Sequence, residues 1–260
     1  MKLRNLGQTD IAVSPLGLGT VKFGRDQQVK YPLSFNIPDD QAVIELLALS
    51  RELVINLLDT APAYGNSEER LGKLLTHRQD WVIVSKVGES FEQGQSHFNF
   101  SARTTRTTIE NSLRNLKTDY LDVVLVHSDG DDMRIIEQEE VIQTLAELKQ
   151  QGIIRAIGLS TKTTEGGLWT VNHTDVVMAT RNVNEHTDDP VLDRALQLNK
   201  GVVIKKGLQS GHADARAGGQ GIEDAIKYVF SHPAVSCLIA GTINPQHLRQ
   251  NARLVEHLTD

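Results

Sequence analysis

LDVVLVH, residues 121–127, runs almost without interruption through apolar, mostly branched side chains and stops on a histidine. A half-solvated antiparallel strand alternates polar and apolar residues, whereas a continuous apolar run reads as a strand covered on both faces, as in a parallel sheet wrapped by helices. Similar short runs flank it at Ser14–Thr20, Val54–Asp59, Trp81–Lys86, Ile153–Ser160, Thr174–Met178, Gly201–Lys205 and Ser236–Gly241, making eight in all. Between them lie segments with helical spacing: Asp40–Leu53, Glu68–Leu75, Ala102–Asn115, Glu139–Gln150 and Pro190–Leu198, with Pro245–Leu258 last. Ser101 suits the N-cap of the third segment and Gly152 the stop of the fourth. Eight βα units in 260 residues predict one α/β domain over residues 1–260, a (β/α)₈ TIM barrel. An open doubly wound sheet would call for GxGxxG after its first strand, and LGLGTVKFG does not supply it.

Working outward, MKLRNLGQTDIAVS has the alternation and the turn residues Gly7 and Asp10 of a small N-terminal β-hairpin able to plug the barrel bottom. Gly88–Ser101 and Ser210–Gly221 are Gly-rich or polar and read as mobile rim loops. The formal net charge is −6 with no long basic run, which argues against nucleic acid and anionic membrane as partners and for small molecules. No window approaches the roughly 20 apolar residues of a spanning helix. The broken N-terminal stretch does not read as a signal peptide. Cys237 stands alone, which excludes an internal disulfide and a Cys-based zinc site and suits a reducing cytoplasm. The nine histidines show no ligand spacing, so no metal is expected. Oligomeric state is not encoded legibly.

In a parallel barrel the C-terminal strand ends converge on the face that carries the chemistry. Here those ends supply Asp59, with Tyr64 just beyond it, then Lys86 and His127. Consecutive strands ending in Asp, Lys and His would finish an apolar core poorly, because an unpaired buried charge is costly; paired with one another they make sense. A phenol titrates near 10, too high for efficient proton donation at neutral pH. The expectation is that Lys86 lowers the Tyr64 pKa, Asp59 holds Lys86 charged, and His127 orients a substrate carbonyl. A buried structural ion pair is the plain alternative for Asp59 and Lys86 alone.

LLDTAPAYGNSEERLGKLL (Leu57–Leu75), VSKVG, NSLRNLKTDYLDVVLVH (Asn111–His127) and LVHSD resemble, in order, the signature blocks of the aldo-keto reductase family. The opening MKLRNLGQTDIAVSPLGLGTVKFG is similar to that family's hairpin and first strand, so the likeness spans nearly the whole chain. It implies the barrel already counted, NAD(P)H-dependent reduction of aldehydes or ketones, and a catalytic tetrad of Asp59, Tyr64, Lys86 and His127.

The resemblance also implies cofactor positions. IRAIGLST is similar to the strand that holds the nicotinamide carboxamide, with Ser160 kept and Thr161 where the family has Asn. Met178 aligns with a carboxamide-binding Gln, and Lys205 with a stacking aromatic. Lys206, Gly207, Leu208, Gln209, Ser210 and Gly211 form the candidate pyrophosphate loop. Gly19 and Thr20 end the first strand, and Gly241, Thr242, His247, Gln250 and Asn251 are the candidates for the adenosine-phosphate end. Family habit favours NADP, with NAD the alternative, and Arg249 is a further candidate for a 2′-phosphate. Two other functions compete. One is a cofactor-binding regulatory subunit of an ion channel with little turnover; the other is an aldolase using Lys86 as a Schiff-base nucleophile, which Asp59 should oppose by keeping the lysine charged.

Overall fold

The computed structural model describes residues 1–29, 31, 32, 34–213 and 220–259. A short antiparallel hairpin comes first, β1 (Arg4–Asn5) with β2 (Ala12–Val13). The chain then alternates between barrel strands and helices: β3 (Leu16–Gly19), α1 (Asp40–Glu52), β4 (Leu57–Asp59), α2 (Ser67–Leu74) and β5 (Val82–Val87). A second hairpin, β6 (Glu89–Glu92) with β7 (Gln95–Phe98), rises before α3 (Ala102–Leu116) and β8 (Leu121–His127). There follow α4 (Asp132–Gln138), α5 (Val141–Gln150), β9 (Ile154–Ser160), α6 (Thr164–His173), β10 (Val176–Thr180), α7 (Asp189–Gln197), β11 (Gly201–Lys205), α8 (Gln220–Phe230), β12 (Cys237–Ala240) and α9 (Pro245–Thr259). The eight longer-range strands close in the order β10-β11-β12-β3-β4-β5-β8-β9, every neighbouring pair parallel. The TIM barrel expected from the eight apolar runs is what the chain forms.

Strand alternation splits the core into two layers. Leu57, Val84, Val123, Leu125, Val176 and Met178 fill the barrel interior with Leu6, Ile11 and Val13 of the hairpin, so the hairpin does plug the bottom. Its turn is held by Gly7, at φ +61°, where a Cβ would stand 2.3 Å from the backbone nitrogen of Gly201; only glycine has both the conformation and the space. Outward-facing residues such as Leu58, Val124 and Val126 pack under the helices. Helix starts follow local chemistry: Asp39 accepts from Ala42 N at 2.8 Å, Ser101 from Thr104 N at 3.4 Å and Thr163 from Gly166 N at 3.1 Å. Gly152 turns the chain after α5 at φ +78°.

Several expectations need correction. The helix expected over 139–150 is α5, which begins two residues later at Val141; a separate short helix, α4, precedes it and ends at Gln138. Gly88–Ser101 contains the β6–β7 hairpin. In the second expected loop, Ser210–Gly221, the described part ends at Ala213 and α8 resumes at Gln220; residues 214–219 lie outside the described residues. Helix α6 went unseen because TEGGLWTVNH carries two helix-weakening glycines, and tertiary packing demands both. A Cβ at Gly166 would meet Asp132 Cβ at 2.3 Å, and one at Gly167 would meet Val191 Cγ2 at 2.6 Å. The sixth barrel strand reaches Thr180, two residues past the expected end at Met178.

Candidate active site

Parallel register brings the C-terminal ends of β4, β5, β8, β9 and β11 to one rim, and with them Asp59, Lys86, His127, Ser160 and Lys205. Lys86 is 2% exposed and donates to Asp59 Oδ1 at 2.5 Å and to the Thr60 carbonyl at 2.8 Å. The other Asp59 oxygen accepts from the Tyr64 hydroxyl at 3.4 Å, and the Lys86 ammonium stands 4.7 Å from the centre of the Tyr64 ring. The His127 ring meets the Tyr64 ring edge to face, centroids 6.4 Å apart. The four residues expected from the sequence therefore form one cluster. Thr20 braces it from beneath, donating to the Asp59 carbonyl at 3.0 Å.

The electrostatics differ from expectation at Tyr64. Burial, reinforced by the nearby carboxylates of Asp59 and Glu89, pushes the phenol well above its ordinary value near 10 rather than below it. Lys86 is already engaged by Asp59, and Asp59 presents its second oxygen to the phenol, so the net local charge felt by Tyr64 is not positive. The phenol is consequently held protonated throughout the neutral range, ready as a donor.

Glu89, from β6, was not foreseen. Its Oε2 lies 2.7 Å from His127 Nδ1, off the ideal line of a ring N–H, a contact that becomes an ion pair only when the ring is protonated. Burial alone would raise the Glu89 carboxyl; contacts with His127, Ser96 and Arg25 outweigh it and hold it at about 2. Ser96 donates to its Oε1 at 2.6 Å, and Arg25 lies 3.7 Å away. His127 titrates below 6.5 because burial outweighs the Glu89 pairing, with Lys86 and Lys205 pushing the same way.

Above the cluster opens a cavity of about 390 Å³, within the range of small-molecule sites. Of the expected cofactor positions, Gly19, Lys205, Lys206, Leu208, Ser210, Gly211, Gly241, Thr242, His247 and Asn251 line it, together with Asp59 and Tyr64. Tyr31 and Pro32, from the β3–α1 connection, form one wall, which the sequence pattern did not single out. A Cβ on Gly241 would stand 2.5 Å from the Tyr31 hydroxyl, whereas Gly211 is required by its φ of +92°, a Cβ there meeting Pro32 Cδ only at an ordinary 3.4 Å.

The remaining candidates lie elsewhere. Gly207 packs into the wall, where a Cβ would strike Leu238 Cδ1 at 2.4 Å. Gln209 accepts from Asn184 at 3.1 Å, Gln250 is exposed on α9, and Arg249 reaches toward Glu52 at 3.4 Å. Met178 pairs in register with Ser160 and is buried with the residues that fill the barrel interior. Ser160 and Thr161 lie behind Lys205, whose Nζ donates to Ser160 Oγ at 2.9 Å and to the Thr161 carbonyl at 2.6 Å.

Two buried polar atoms of the cofactor candidates, Asn251 Oδ1 and Thr161 Oγ1, have no hydrogen-bond partner among the described residues. Such groups are costly unless something satisfies them, and Asn251 also lines the cavity. With the glycine-lined wall and two lysines, this donor and acceptor set fits a dinucleotide. Among the described residues no cluster of side chains fits a metal ion, and no helix is long and apolar enough to cross a membrane.

Comparison with known proteins bears on the same residues. A profile of the aldo/keto reductase family matches residues 15–190, which include all four clustered side chains. A crystal structure of a protein from Pseudomonas aeruginosa assigned as an aldo-keto reductase is 50% identical and superposes with a TM-score of 0.90, covering 99% of this chain and 96% of that one. L-galactose dehydrogenase of Arabidopsis thaliana is 35% identical over 168 residues, covering 62% of this chain and 48% of the relative. NADH-specific methylglyoxal reductase of Escherichia coli is 34% identical over 172 residues, covering 61% and 51%. The matched part thus spans about half the length of these curated relatives.

Proposed function

This chain belongs to the aldo/keto reductase family, and from that premise we propose that it is an NAD(P)H-dependent oxidoreductase that reduces small aldehydes or ketones to alcohols, working as a single barrel domain in a reducing, cytoplasmic setting. The observation that carries this reading is the cluster of Asp59, Tyr64, Lys86 and His127, two of which, Asp59 and Tyr64, line a cavity that also holds the unsatisfied Asn251.

When bound, a reduced nicotinamide would supply the hydride. Asn251, Thr242, His247 and the Lys206–Gly211 loop are the residues to hold the phosphate-bearing end, with NADP as the proposed cofactor and NAD its competitor. Tyr64 donates the proton to the substrate oxygen; its high pKa keeps the proton in place until negative charge develops there. Lys86 and Asp59 fix the phenol, and the Lys86 ammonium offsets the phenolate charge left after transfer. His127 holds the carbonyl oxygen beside the phenol. With the carboxylate of Glu89 at Nδ1, the proton of neutral His127 is drawn to that side, so donation from the other nitrogen requires the imidazolium. Burial of Asp59 and Lys86 excludes water from the pair.

Turnover of small aldehydes with NADPH or NADH tests the proposal, wild type against Tyr64→Phe. Removal of a general acid should lower kcat by about 10²–10⁴-fold while nucleotide binding persists. Binding without turnover in wild type would instead support a regulatory, cofactor-sensing role, and undiminished turnover in Tyr64→Phe would remove that residue from the mechanism.

A further inference from the structure

Lys205 is an unusual residue for the place it occupies. It ends β11, lines the cavity beside Tyr64 and Asp59, and turns its Nζ toward Ser160 Oγ and the Thr161 carbonyl. Both of these acceptors are neutral, and no carboxylate of the described residues forms an ion pair with it. The charged groups around it are Lys206 beside it in the chain, Asp188 before α7, Asp132 on α4, Lys162 after β9 and His127 on β8, with which it interacts electrostatically. Burial, with Lys206 adding to it, brings the amine down to about 7 against the weaker pull of Asp188 and Asp132. The same amine is thus charged on the acid side of neutrality and neutral on the alkaline side.

A hydride donor must come within bonding distance of a carbonyl held by Tyr64 and His127, so the redox-active ring belongs at this end of the cavity rather than at the Asn251 end. An oxidised nicotinamide ring carries a positive charge and a reduced one is neutral. We infer that Lys205 discriminates between the two oxidation states of the cofactor, its ammonium disfavouring the oxidised form and thereby biasing the site toward holding reduced nucleotide and releasing the product nucleotide. The inference rests on the nicotinamide reading above and adds a charge, not a hydride-transfer step, to it.

The linkage has a definite sign. At pH below about 7 the lysine is charged and the oxidised nucleotide binds more weakly relative to the reduced one; as pH rises through that value the difference shrinks. Binding of the oxidised form expels a proton from Lys205 wherever the lysine was charged. Titrations of the nucleotide phosphates are common to both oxidation states and cancel in the ratio of the two dissociation constants.

The test is equilibrium binding of NADP⁺ and NADPH, or of NAD⁺ and NADH if those bind better, by calorimetry from pH 5.5 to 9 on wild type, Lys205→Met and Lys205→Arg. Two unit charges several ångströms apart at an intermediate dielectric predict a ratio Kd(oxidised)/Kd(reduced) roughly 10–100-fold higher with the ammonium than without it. In wild type the ratio should fall by that factor from the acid to the alkaline end. Lys205→Met should be low at every pH, and Lys205→Arg high at every pH, since guanidinium does not titrate there; residual pH dependence in the arginine variant reports His127. A ratio in Lys205→Met equal to that of wild type at pH 6, with circular dichroism unchanged, would overturn the inference and leave Lys205 as a strut between β11 and β9. Absence of binding of any of the four nucleotides would overturn the cofactor reading itself.

Discussion

The two ends of this barrel each bury a carboxylate among cations, and they do different things with it. At the bottom, Asp122 is 1% exposed and accepts from Arg78 at 2.8 Å, Arg155 at 2.7 Å and the Ile83 amide at 3.0 Å. Arg155 extends the network to Asp10 of the plugging hairpin at 3.3 Å. At the top, Asp59 is 5% exposed and is shared between Lys86 and a phenol. Burial and pairing are common to both, so neither marks a site. The difference is that the Asp122 network ties backbone and hairpin together, whereas the Asp59 network ends at a cavity bearing an acidic hydrogen and an unsatisfied amide oxygen. The bottom is proposed to serve stability and the top chemistry, a division that sorts the variants below.

The largest separation should come from the two aspartates. Asp59→Asn removes the charge that anchors Lys86 and should lower the kcat of the folded fraction about 100-fold or more, alongside the stability loss expected when a buried lysine loses its partner. Asp122→Ala strands two arginines and an amide and should cost about 2–4 kcal/mol in chemical denaturation, while the folded fraction keeps wild-type kcat. If Asp122→Ala lost activity without losing stability, the division would fail. Next in size is Gly7→Ala, which forces a Cβ against Gly201 at a positive φ; denaturation should show a loss of about 1–3 kcal/mol with KM untouched.

A pH profile sharpens the top of the barrel. If His127 donates as an imidazolium, kcat/KM for reduction is highest below its pKa, which lies under 6.5, and falls as pH rises through it. Glu89 raises that pKa, so Glu89→Gln should move the limb to lower pH while leaving an active plateau below it. An unmoved limb would mean that Glu89 does not act through His127. The smallest effect is expected for Asn251→Ala. It removes an oxygen that already lacks a partner, so it should weaken nucleotide affinity by about 3–10-fold with no loss of stability.

The barrel was legible because its strands are covered on both faces and announce themselves as unbroken apolar runs, LDVVLVH above all. The cluster was legible because each member sits at or just past such a run, where topology alone brings it to the rim. What escaped the sequence was set by packing between distant segments. Gly166 and Gly167 look helix-breaking until Asp132 and Val191 are seen against them. Glu89 sat in a stretch read as loop, and nothing in ESFE distinguishes a carboxylate that meets His127 from a solvated one. The direction of the Tyr64 shift was missed because it depends on how the Lys86 charge is divided, which only geometry shows.

The division of labour between the two ends can be tested in one experiment, amide hydrogen exchange with and without saturating NADPH. Added protection should appear at the ends of β9, β11 and β12, in residues 205–213 and along the start of α9, with residues 4–13 and the Arg78–Asp122–Arg155 region unchanged. Protection at the hairpin, or none on the C-terminal rim at nucleotide concentrations that support turnover, would contradict the account.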